Sequence, residues 1–255
     1  AELPGAVSLD DLLAHEEAPM VDVAPDHLAA LMFTSGTAGP PRAAMLSHGN
    51  LLSNIEQSMS ARDRTRPDDV VYGVLPLFHI FGLNVVLGAS LSQGATILLV
   101  QRFDPATAAE SIVQRGVTIV PGAPPMWIAF SHFDELPADA FATVRLALSG
   151  ASRLSPAVAE RFEQKYGLPI REGYGLTEAS PVVTSSAGAP VRYGSVGRVL
   201  VGEEIRLVGD DGRSRARRGT AAAVRAGAAR HLPPARRLRQ PRQRRELPRT
   251  HSEAT

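Results

Sequence analysis

A run of small and hydroxyl-bearing residues near the start of the chain has the composition of a loop that holds phosphate. It reads TSGTAGPPR over residues 34–42. Glycines let backbone N–H groups approach phosphate oxygens, hydroxyls donate further hydrogen bonds, and a guanidinium can bind phosphate through two bonds. The candidate phosphate ligands are Thr34, Ser35, Gly36, Thr37, Gly39 and Arg42. From the residues alone, a plain turn between two strands is an equally good interpretation, because the Gly-Lys-Ser/Thr signature of P-loop nucleoside triphosphatases is missing.

Two further segments contain side chains suited to a nucleotide or an apolar ligand. In EGYGLTE, residues 172–178, Tyr174 lies between two glycines and could present its ring to a purine. Glu178 of the same segment could hold Mg²⁺ together with phosphate oxygens. In LPLFHIFG, residues 75–82, His79 has an apolar neighbour on each side. Taken singly, Tyr174 would more often be a core aromatic residue, Glu178 a solvated carboxylate and His79 a core histidine.

The elements that must position these segments alternate between strands and helices. Apolar and β-branched runs predict strands at residues 27–33, 43–46, 70–75, 96–100, 117–120, 144–148 and 169–173. Helices are predicted over residues 78–91 and after the capping residues Asn50, Asp104 and Ser155, with stops at Gly94, Gly116 and Gly167. This alternation predicts a layered α/β domain with a largely parallel sheet, in which sites gather at the carboxyl ends of the strands.

Together the three segments resemble the motifs of the adenylate-forming (AMP-binding) superfamily, in the order in which that family carries them. TSGTAGPPRAAMLSH resembles its Thr-Ser-Gly-Thr-Thr-Gly-x-Pro-Lys-Gly phosphate loop, LPLFHIFG its second motif, and EGYGLTE its adenine-binding motif. Ser149-Gly150-Ala151 resembles the loop that borders adenine and the acyl carboxylate. The resemblance runs from about Leu31 to about Gly212 and implies the central part of the family's large N-terminal domain, most like that of a fatty acyl-CoA synthetase.

The resemblance implies a role for each matching residue. Thr177 matches the residue that hydrogen-bonds the α-phosphate, Glu178 the magnesium ligand, and His79 a gate between the acyl pocket and the nucleotide. The implied adenine-binding residues are Gly150, Ala151, Gly173, Tyr174 and Gly175. The implied acyl pocket consists of Phe78, His79, Trp127 and Gly150. For Trp127, the residues alone favour a place in the core over a place in the pocket.

The implied reaction joins a carboxylic acid to ATP and then to coenzyme A. The catalytic residues would be Thr177, Glu178 and His79, and Mg²⁺ would accompany ATP. No general base is expected at His79, because the carboxylate of the acid is already the nucleophile. The chemical demand is to align carboxylate and α-phosphate and to neutralise the developing charge.

Several features depart from the family pattern. Arg42 replaces a Lys, Ala38 a Thr and Ala43 a Gly, which keeps the charge near the phosphates but changes the geometry of its donors. The family's ribose-binding Asp and the catalytic Lys of its small C-terminal domain are not recognisable, and Lys165 lies in a predicted helix. We therefore expect the small C-terminal domain to be absent and complete turnover to be impaired.

The charged residues are distributed unevenly. Residues 213–255 hold thirteen Arg, two Glu and no Phe, Tyr, Trp, Ile or Met. This composition cannot build a core and predicts a disordered tail. A solvated tail, a nucleic-acid-binding arm and an out-of-frame translation are the possible interpretations, of which we favour the last. The predicted organisation is a lead-in segment at 1–26, a partial AMP-binding domain at 27–212 and the Arg-rich tail at 213–255.

The composition excludes some kinds of site and indicates where the protein is located. The chain has no Cys, which excludes disulfides, zinc-thiolate sites and thiol nucleophiles and favours a cytoplasmic protein. The apolar stretch 80–100 is interrupted by polar residues, among them Asn84, and predicts a buried helix and strand, so at most peripheral membrane contact is expected. No specific nucleic acid partner is expected.

The predicted function is ATP-dependent activation of a fatty acid, of medium or long chain, to acyl-adenylate and acyl-CoA. The alternatives are a non-catalytic nucleotide- or acyl-binding remnant, and a fragment of an amino-acid adenylation domain. The candidate pocket segments contain no recognisable Asp for an amino group, which favours a fatty or aryl acid over an amino acid.

Overall fold

The structure, a computed structural model, describes residues 7–15, 19–34 and 42–205. Its strands are β1 (Leu28–Thr34), β2 (Arg42–Ser47), β3 (Val70–Gly73), β4 (Thr96–Leu99), β5 (Ile119–Gly122), β6 (Leu146–Ser149), β7 (Ile170–Gly175), β8 (Val182–Ser185) and β9 (Arg198–Val199). Its helices are α1 (Leu9–Leu13), α2 (His48–Met59), α3 (Ala89–Gln93), α4 (Pro105–Gln114), α5 (Pro124–His132) and α6 (Pro156–Tyr166). A π-helix (Phe81–Gly88) precedes α3, and a 3-10 turn (Thr177–Ala179) lies between β7 and β8.

Seven strands form one sheet, in the order β4-β3-β5-β6-β7-β8-β9. The strands from β4 to β7 in this order are parallel, whereas β8 and β9 join in antiparallel fashion. The predicted α/β fold with a largely parallel sheet is therefore confirmed. Strands β1 and β2 pair separately as an antiparallel hairpin in which Thr34 lies opposite Arg42.

The central strands send alternate side chains to two different layers, because successive residues of a strand face opposite sides of a sheet. Tyr72 and Val120 pack into the larger core, which also contains buried residues of α4, α5 and α6. Val71 and Ile119 face the other way and form a smaller cluster with Val86 of the π-helix. The sheet thus has helices on both faces, and the second face is the less completely filled one.

Most helix ends follow the predicted capping residues. Asp104 caps α4 by accepting a backbone N–H at 2.9 Å. Gly94 and Gly167 end their helices in the left-handed conformation, with φ of 69° and 67°. The prediction for α2 was wrong in its cap. Ser47 is the N-cap, and Asn50 completes a capping box by accepting the backbone N–H of Ser47.

Other boundaries differ from the predictions by a few residues or in geometry. The helix predicted at 78–91 begins at Phe81 and is π-helical as far as Gly88. The strands predicted at 117–120 and 144–148 begin two residues later, at Ile119 and Leu146. The sequence patterns did not predict α1, α5, β8 or β9.

None of the helices in the described ranges is both long and apolar enough to cross a membrane. The tail predicted for residues 213–255 lies outside the described residues, as do residues 35–41 of the predicted phosphate loop. The domain boundaries predicted at residues 26 and 212 stay predictions.

Candidate active site

A cavity of about 320 Å³ lies on the less completely filled face of the sheet. The sheet contributes an apolar wall that includes Val71, Ile119 and Leu146. Helix α2 and the π-helix form the opposite wall, with Ile55 and Val85 among its residues. The volume falls at the lower end of the range of small-molecule sites, which are mostly apolar with a few polar groups.

Most of the residues predicted for adenine, catalysis and the acyl pocket meet at this cavity. They come from the segments that follow β3 and β6 and from β7 with the turn after it, as expected for the carboxyl ends of parallel strands. The predicted residues that line it are His79, Gly150, Ala151, Gly173, Tyr174, Gly175 and Thr177. Segments separated by about a hundred residues are thereby brought to one place.

His79 lies between two cavities. Its side chain is exposed, so the alternative of a core histidine is wrong. Its Nδ1 accepts the backbone N–H of Phe81 at 3.1 Å, which fixes the ring relative to the start of the π-helix. A second, apolar cavity of about 170 Å³ is lined by His79, Phe81 and Ala151, which also line the first. Phe78 is 85% exposed and lines only this second cavity.

Two of the candidate glycines are closely packed. A Cβ at Gly150 would lie 2.9 Å from a ring carbon of Phe81. At Gly175 a Cβ would lie 2.2 Å from the carbonyl oxygen of Pro181, a contact that real structures do not contain. Ala151 has a positive φ of 69°, which is uncommon for a residue with a side chain. The loop after β6 therefore holds an unusual backbone beside the cavity.

The adenine motif begins within β7 at a buried acid, Glu172. Glu172 is 7% exposed, and burial raises the pKa of its carboxyl group despite backbone N–H donors at Leu154 and Gly194 and the nearby charge of Arg153. These donors belong to the loops that flank β7 on either side. Tyr174, two residues further on, is 46% exposed and lines the cavity with its ring free of the core.

The turn that carries Thr177 and Glu178 contacts strand β2 of the hairpin. Thr177 lines the cavity, whereas Glu178 is exposed and lies outside its lining. At the end of the hairpin, the Thr34 hydroxyl donates to the Arg42 carbonyl at 3.3 Å. The remaining predicted phosphate ligands, Ser35, Gly36, Thr37 and Gly39, lie outside the described residues. The fold thus places the hairpin that carries the predicted phosphate loop against the turn that carries the predicted magnesium ligand.

The prediction that Trp127 belongs to the acyl pocket was wrong. Its side chain is fully buried in the larger core, on the opposite face of the sheet from the cavity. There it packs edge-on against Phe162 with ring centroids 5.2 Å apart, and it also contacts Phe130. The core position that the residues alone favoured is the one observed.

Two polar residues of the helical wall were not predicted from the sequence. Asn54 of α2 and Asn84 of the π-helix are 3% and 4% exposed, and both line the cavity. A signal was present for Asn84, a polar residue in the middle of the most apolar stretch of the chain. That interruption was interpreted only as an argument against a membrane span.

Comparison with known proteins fits this geometry. Residues 3–224 match the family described as AMP-binding enzyme. The chain belongs to the AMP-binding enzyme family. The family resemblance predicted from the three motifs is therefore confirmed for most of the chain, together with the fold that it implied.

Relatives of this AMP-binding enzyme chain act on different acids. The 4-coumarate--CoA ligase 3 of Oryza sativa subsp. japonica is 34% identical over 217 residues, which cover 81% of this chain and 39% of that protein. The long-chain-fatty-acid--CoA ligase of Bacillus subtilis (strain 168) is 37% identical over 166 residues, 64% of this chain and 29% of the relative. The ATP-bound structure of MatB from Rhodopseudomonas palustris has a TM-score of 0.75 at 30% identity, covering 82% of this chain and 42% of that one. The chain thus spans about 40% of the length of the 4-coumarate--CoA ligases that it matches.

Proposed function

We propose that this chain provides the acid- and nucleotide-binding part of an AMP-forming acid–CoA ligase. The observation that carries the proposal is the single cavity lined by His79, Gly150, Tyr174 and Thr177, which come from three separate sequence motifs. In the reaction, an oxygen of the carboxylate forms a bond to the α-phosphorus of ATP, and the bond from that phosphorus to pyrophosphate breaks. The thiol of coenzyme A then attacks the acyl carbonyl, AMP leaves, and the thiol proton is released.

In this proposal the nucleotide lies across the carboxyl ends of β6 and β7. The exposed ring of Tyr174 stacks on adenine, and the backbone around Gly150, Ala151 and Gly173 borders it. The Thr177 hydroxyl donates to the α-phosphate, while the loop between Thr34 and Arg42 binds the outer phosphates. These roles rest on the motifs and on the shared cavity, and each acts by positioning or by hydrogen bonding.

Glu178 is the proposed magnesium ligand. Its carboxylate is exposed next to Thr177, and an oxygen ligand free to reach phosphate-bound metal is what Mg²⁺ prefers. When bound, Mg²⁺ neutralises phosphate charge during the displacement. The protein's own part is to hold the Glu178 carboxylate in a turn that packs against the hairpin.

The acyl group of the substrate occupies the apolar cavity between the sheet and the helical wall. A cavity of about 150 Å³ admits benzene. The cavity of about 320 Å³ also borders the nucleotide residues Tyr174 and Thr177, so its apolar part suits a ring with a short side chain or a medium-length alkyl chain. We propose a medium-chain fatty acid as the substrate. The 4-coumarate--CoA ligase relatives support an aryl acid as the second candidate.

His79 is proposed to separate acid from nucleotide without acting as a base. Because it lines both cavities, movement of its ring would connect them. The smaller cavity is then the proposed approach for the thiol of coenzyme A. A cytoplasmic location completes the proposal, supported by the absence of cysteine from the sequence.

The test is an equilibrium titration of acids into the chain, in the presence of Mg²⁺ and α,β-methylene-ATP, which the reaction cannot cleave. The panel contains hexanoate, decanoate, palmitate, 4-coumarate and phenylalanine. Saturable binding of decanoate that requires the nucleotide analogue supports the proposed substrate, and preferential binding of 4-coumarate supports the second candidate. If the chain binds the analogue but no carboxylate of the panel, acid activation by this site is refuted.

A further inference from the structure

Two buried asparagines reach from the helical wall of the cavity to the segment that follows the Thr177–Ala179 turn. Asn54 belongs to α2 and Asn84 to the π-helix, and each is at most 4% exposed. Their partners lie at residues 180–182, which are 96 to 128 positions away in sequence. The two amides therefore join different layers of the domain.

Asn54 pairs with strand β8 as a neighbouring strand would. Its Nδ2 donates to the carbonyl of Val182 at 2.7 Å, and its Oδ1 accepts the backbone N–H of Val182 at 3.1 Å. Both polar atoms of the amide are thus committed to the backbone of one residue. Because the donor and acceptor must match on both sides, this arrangement specifies the orientation of the amide and the position of the strand.

Asn84 binds the backbone of Ser180, which lies two positions before Val182. Its Nδ2 donates to the carbonyl of Ser180 at 2.7 Å and to the carbonyl of Leu51 on α2 at 3.0 Å, so both N–H bonds have partners. A Cβ at Gly88 would lie 2.9 Å from Asn84 Oδ1, so the π-helix packs closely around this side chain. Asn84 therefore ties together the π-helix, α2 and the segment after the turn.

The segment held in this way is closed on itself around the predicted catalytic residues. The N–H of Leu176 donates to the carbonyl of Pro181 at 2.9 Å, and the N–H of Ala179 donates to the carbonyl of Leu176 at 3.0 Å. Ser180 adopts a positive φ of 71°, a conformation that few residues with a side chain adopt without support from their surroundings. The asparagine contacts at residues 180 and 182 therefore fix one end of the loop whose other end is β7.

We propose that Asn54 and Asn84 are positioning residues, which hold the Thr177–Glu178 turn in place for the nucleotide from the wall of the acid cavity. This inference rests on the proposed function of the turn. Neither asparagine is proposed to touch a substrate, because the Nδ2 donors of both amides already have partners. Asn54 donates to the Val182 carbonyl and to the Gln57 side chain, and Asn84 donates to the carbonyls of Ser180 and Leu51. The same two helices line the acid cavity, so a change in their position would reach the nucleotide site through these amides.

The experiment compares the wild-type chain with Asn54→Ala and Asn84→Ala, and with Asn50→Ala as a matched control. Asn50 lies in the first turn of α2, where it completes the capping box with Ser47, and its side chain forms no hydrogen bond to residues 176–182. Amide hydrogen exchange measures protection of residues 176–185 relative to residues 119–122, and calorimetric titration measures the dissociation constant for Mg·ATP. A separate Asn54→Asp variant retains the acceptor for the Val182 N–H and loses the donor, and carries the test if an alanine variant does not melt cooperatively.

We expect faster exchange confined to residues 176–185 in the Asn54 and Asn84 variants, with Mg·ATP binding weakened by roughly 2- to 30-fold, the range of effects for residues that act through others. The Asn50 variant should melt at a lower temperature but bind Mg·ATP like the wild type. If the Asn54 and Asn84 variants bind Mg·ATP as tightly as the wild type does, the inference is overturned and the proposed function stays intact. If the folded wild-type chain does not bind Mg·ATP, the proposed function fails, and the inference fails with it.

Discussion

Replacing Gly150 by Ala tests whether the acid lies against Phe81. Gly150 does not have the positive φ that favours glycine, so its backbone accepts a side chain. The added Cβ would lie 2.9 Å from Cε1 and 3.2 Å from Cζ of Phe81. Because carbon atoms in good contact are about 3.5–4.0 Å apart, the ring must move by at least about 0.5 Å.

The structure indicates where the ring would move and what that would cost. Phe81 lines both cavities, so it can shift into open space and avoid the full penalty of an overpacked core, which is about 1–3 kcal/mol. Loss of glycine freedom in the unfolded chain offsets about 0.4–1 kcal/mol. We expect stability to change by about 1 kcal/mol or less. A methyl group that intrudes into the cavity should instead weaken the binding of the acid by about 10- to 200-fold.

The assay is calorimetric titration of the best-binding acid into the chain with Mg²⁺ and α,β-methylene-ATP, together with thermal melting. The double variant Gly150→Ala, Phe81→Leu should recover much of the affinity, because a leucine vacates the space that the Cβ requires. Energies of contacting residues are coupled by about 0.5–3 kcal/mol. Unchanged acid affinity in Gly150→Ala, or losses that simply add in the double variant, would refute the assignment of the acid to this cavity.

Three further predictions concern the scaffold. Arg145 and Thr118 donate to Asp69 at the amino-terminal edge of the sheet, and although burial opposes the charge, these bonds lower the pKa of the Asp69 carboxyl group. Asp69→Asn should cost about 3 kcal/mol in urea unfolding near neutral pH, and the difference should shrink as the pH falls through the folded-state pKa; a pH-independent difference would contradict this. Burial disfavours the ionised form of Glu172, so the wild type should lose stability relative to Glu172→Gln as the pH rises from the unfolded pKa, about 4.3, to the raised folded pKa. A difference in melting temperature that is the same at pH 4 and pH 7 would contradict this prediction. Trp127→Ala should lower the free energy of unfolding by about 3–5 kcal/mol, because it leaves a cavity in the core, while the folded fraction binds Mg·ATP with wild-type affinity. Loss of Mg·ATP binding without loss of stability would indicate that Trp127 belongs to the site.

Local patterns predicted the parts of the fold that local interactions determine. Asp104 with Pro105 starts a helix and Gly167 ends one, because capping and left-handed geometry depend on a few neighbouring residues. The helical wall beside Asn84 was predicted as a helix but not as a π-helix, since nothing in the residue pattern determines a wider turn. It packs against α2 and is hydrogen-bonded through Asn84 to the segment after the turn.

The candidate site was predictable where a motif carries it and unpredictable where packing does. His79, Gly150 and Tyr174 could be named from motif resemblance, and the fold brings them to one cavity. Trp127 was misplaced because α5 sends its aromatic residues to the opposite face of the sheet, a choice made by long-range contacts with residues such as Phe162. Asn54 was missed because its partner, Val182, is 128 residues away.

Calorimetric titration of Mg·ATP into the chain and its Glu178→Ala and Arg42→Ala variants tests whether the motifs form a nucleotide site. Glu160→Ala and Arg115→Ala, which remove exposed charges outside the cavity lining, serve as controls. We expect saturable binding of Mg·ATP by the wild type and both controls, and weaker binding by the two site variants. Binding that is equal in all five proteins, or absent from a chain that melts cooperatively, would contradict the claim that these motifs form a nucleotide site.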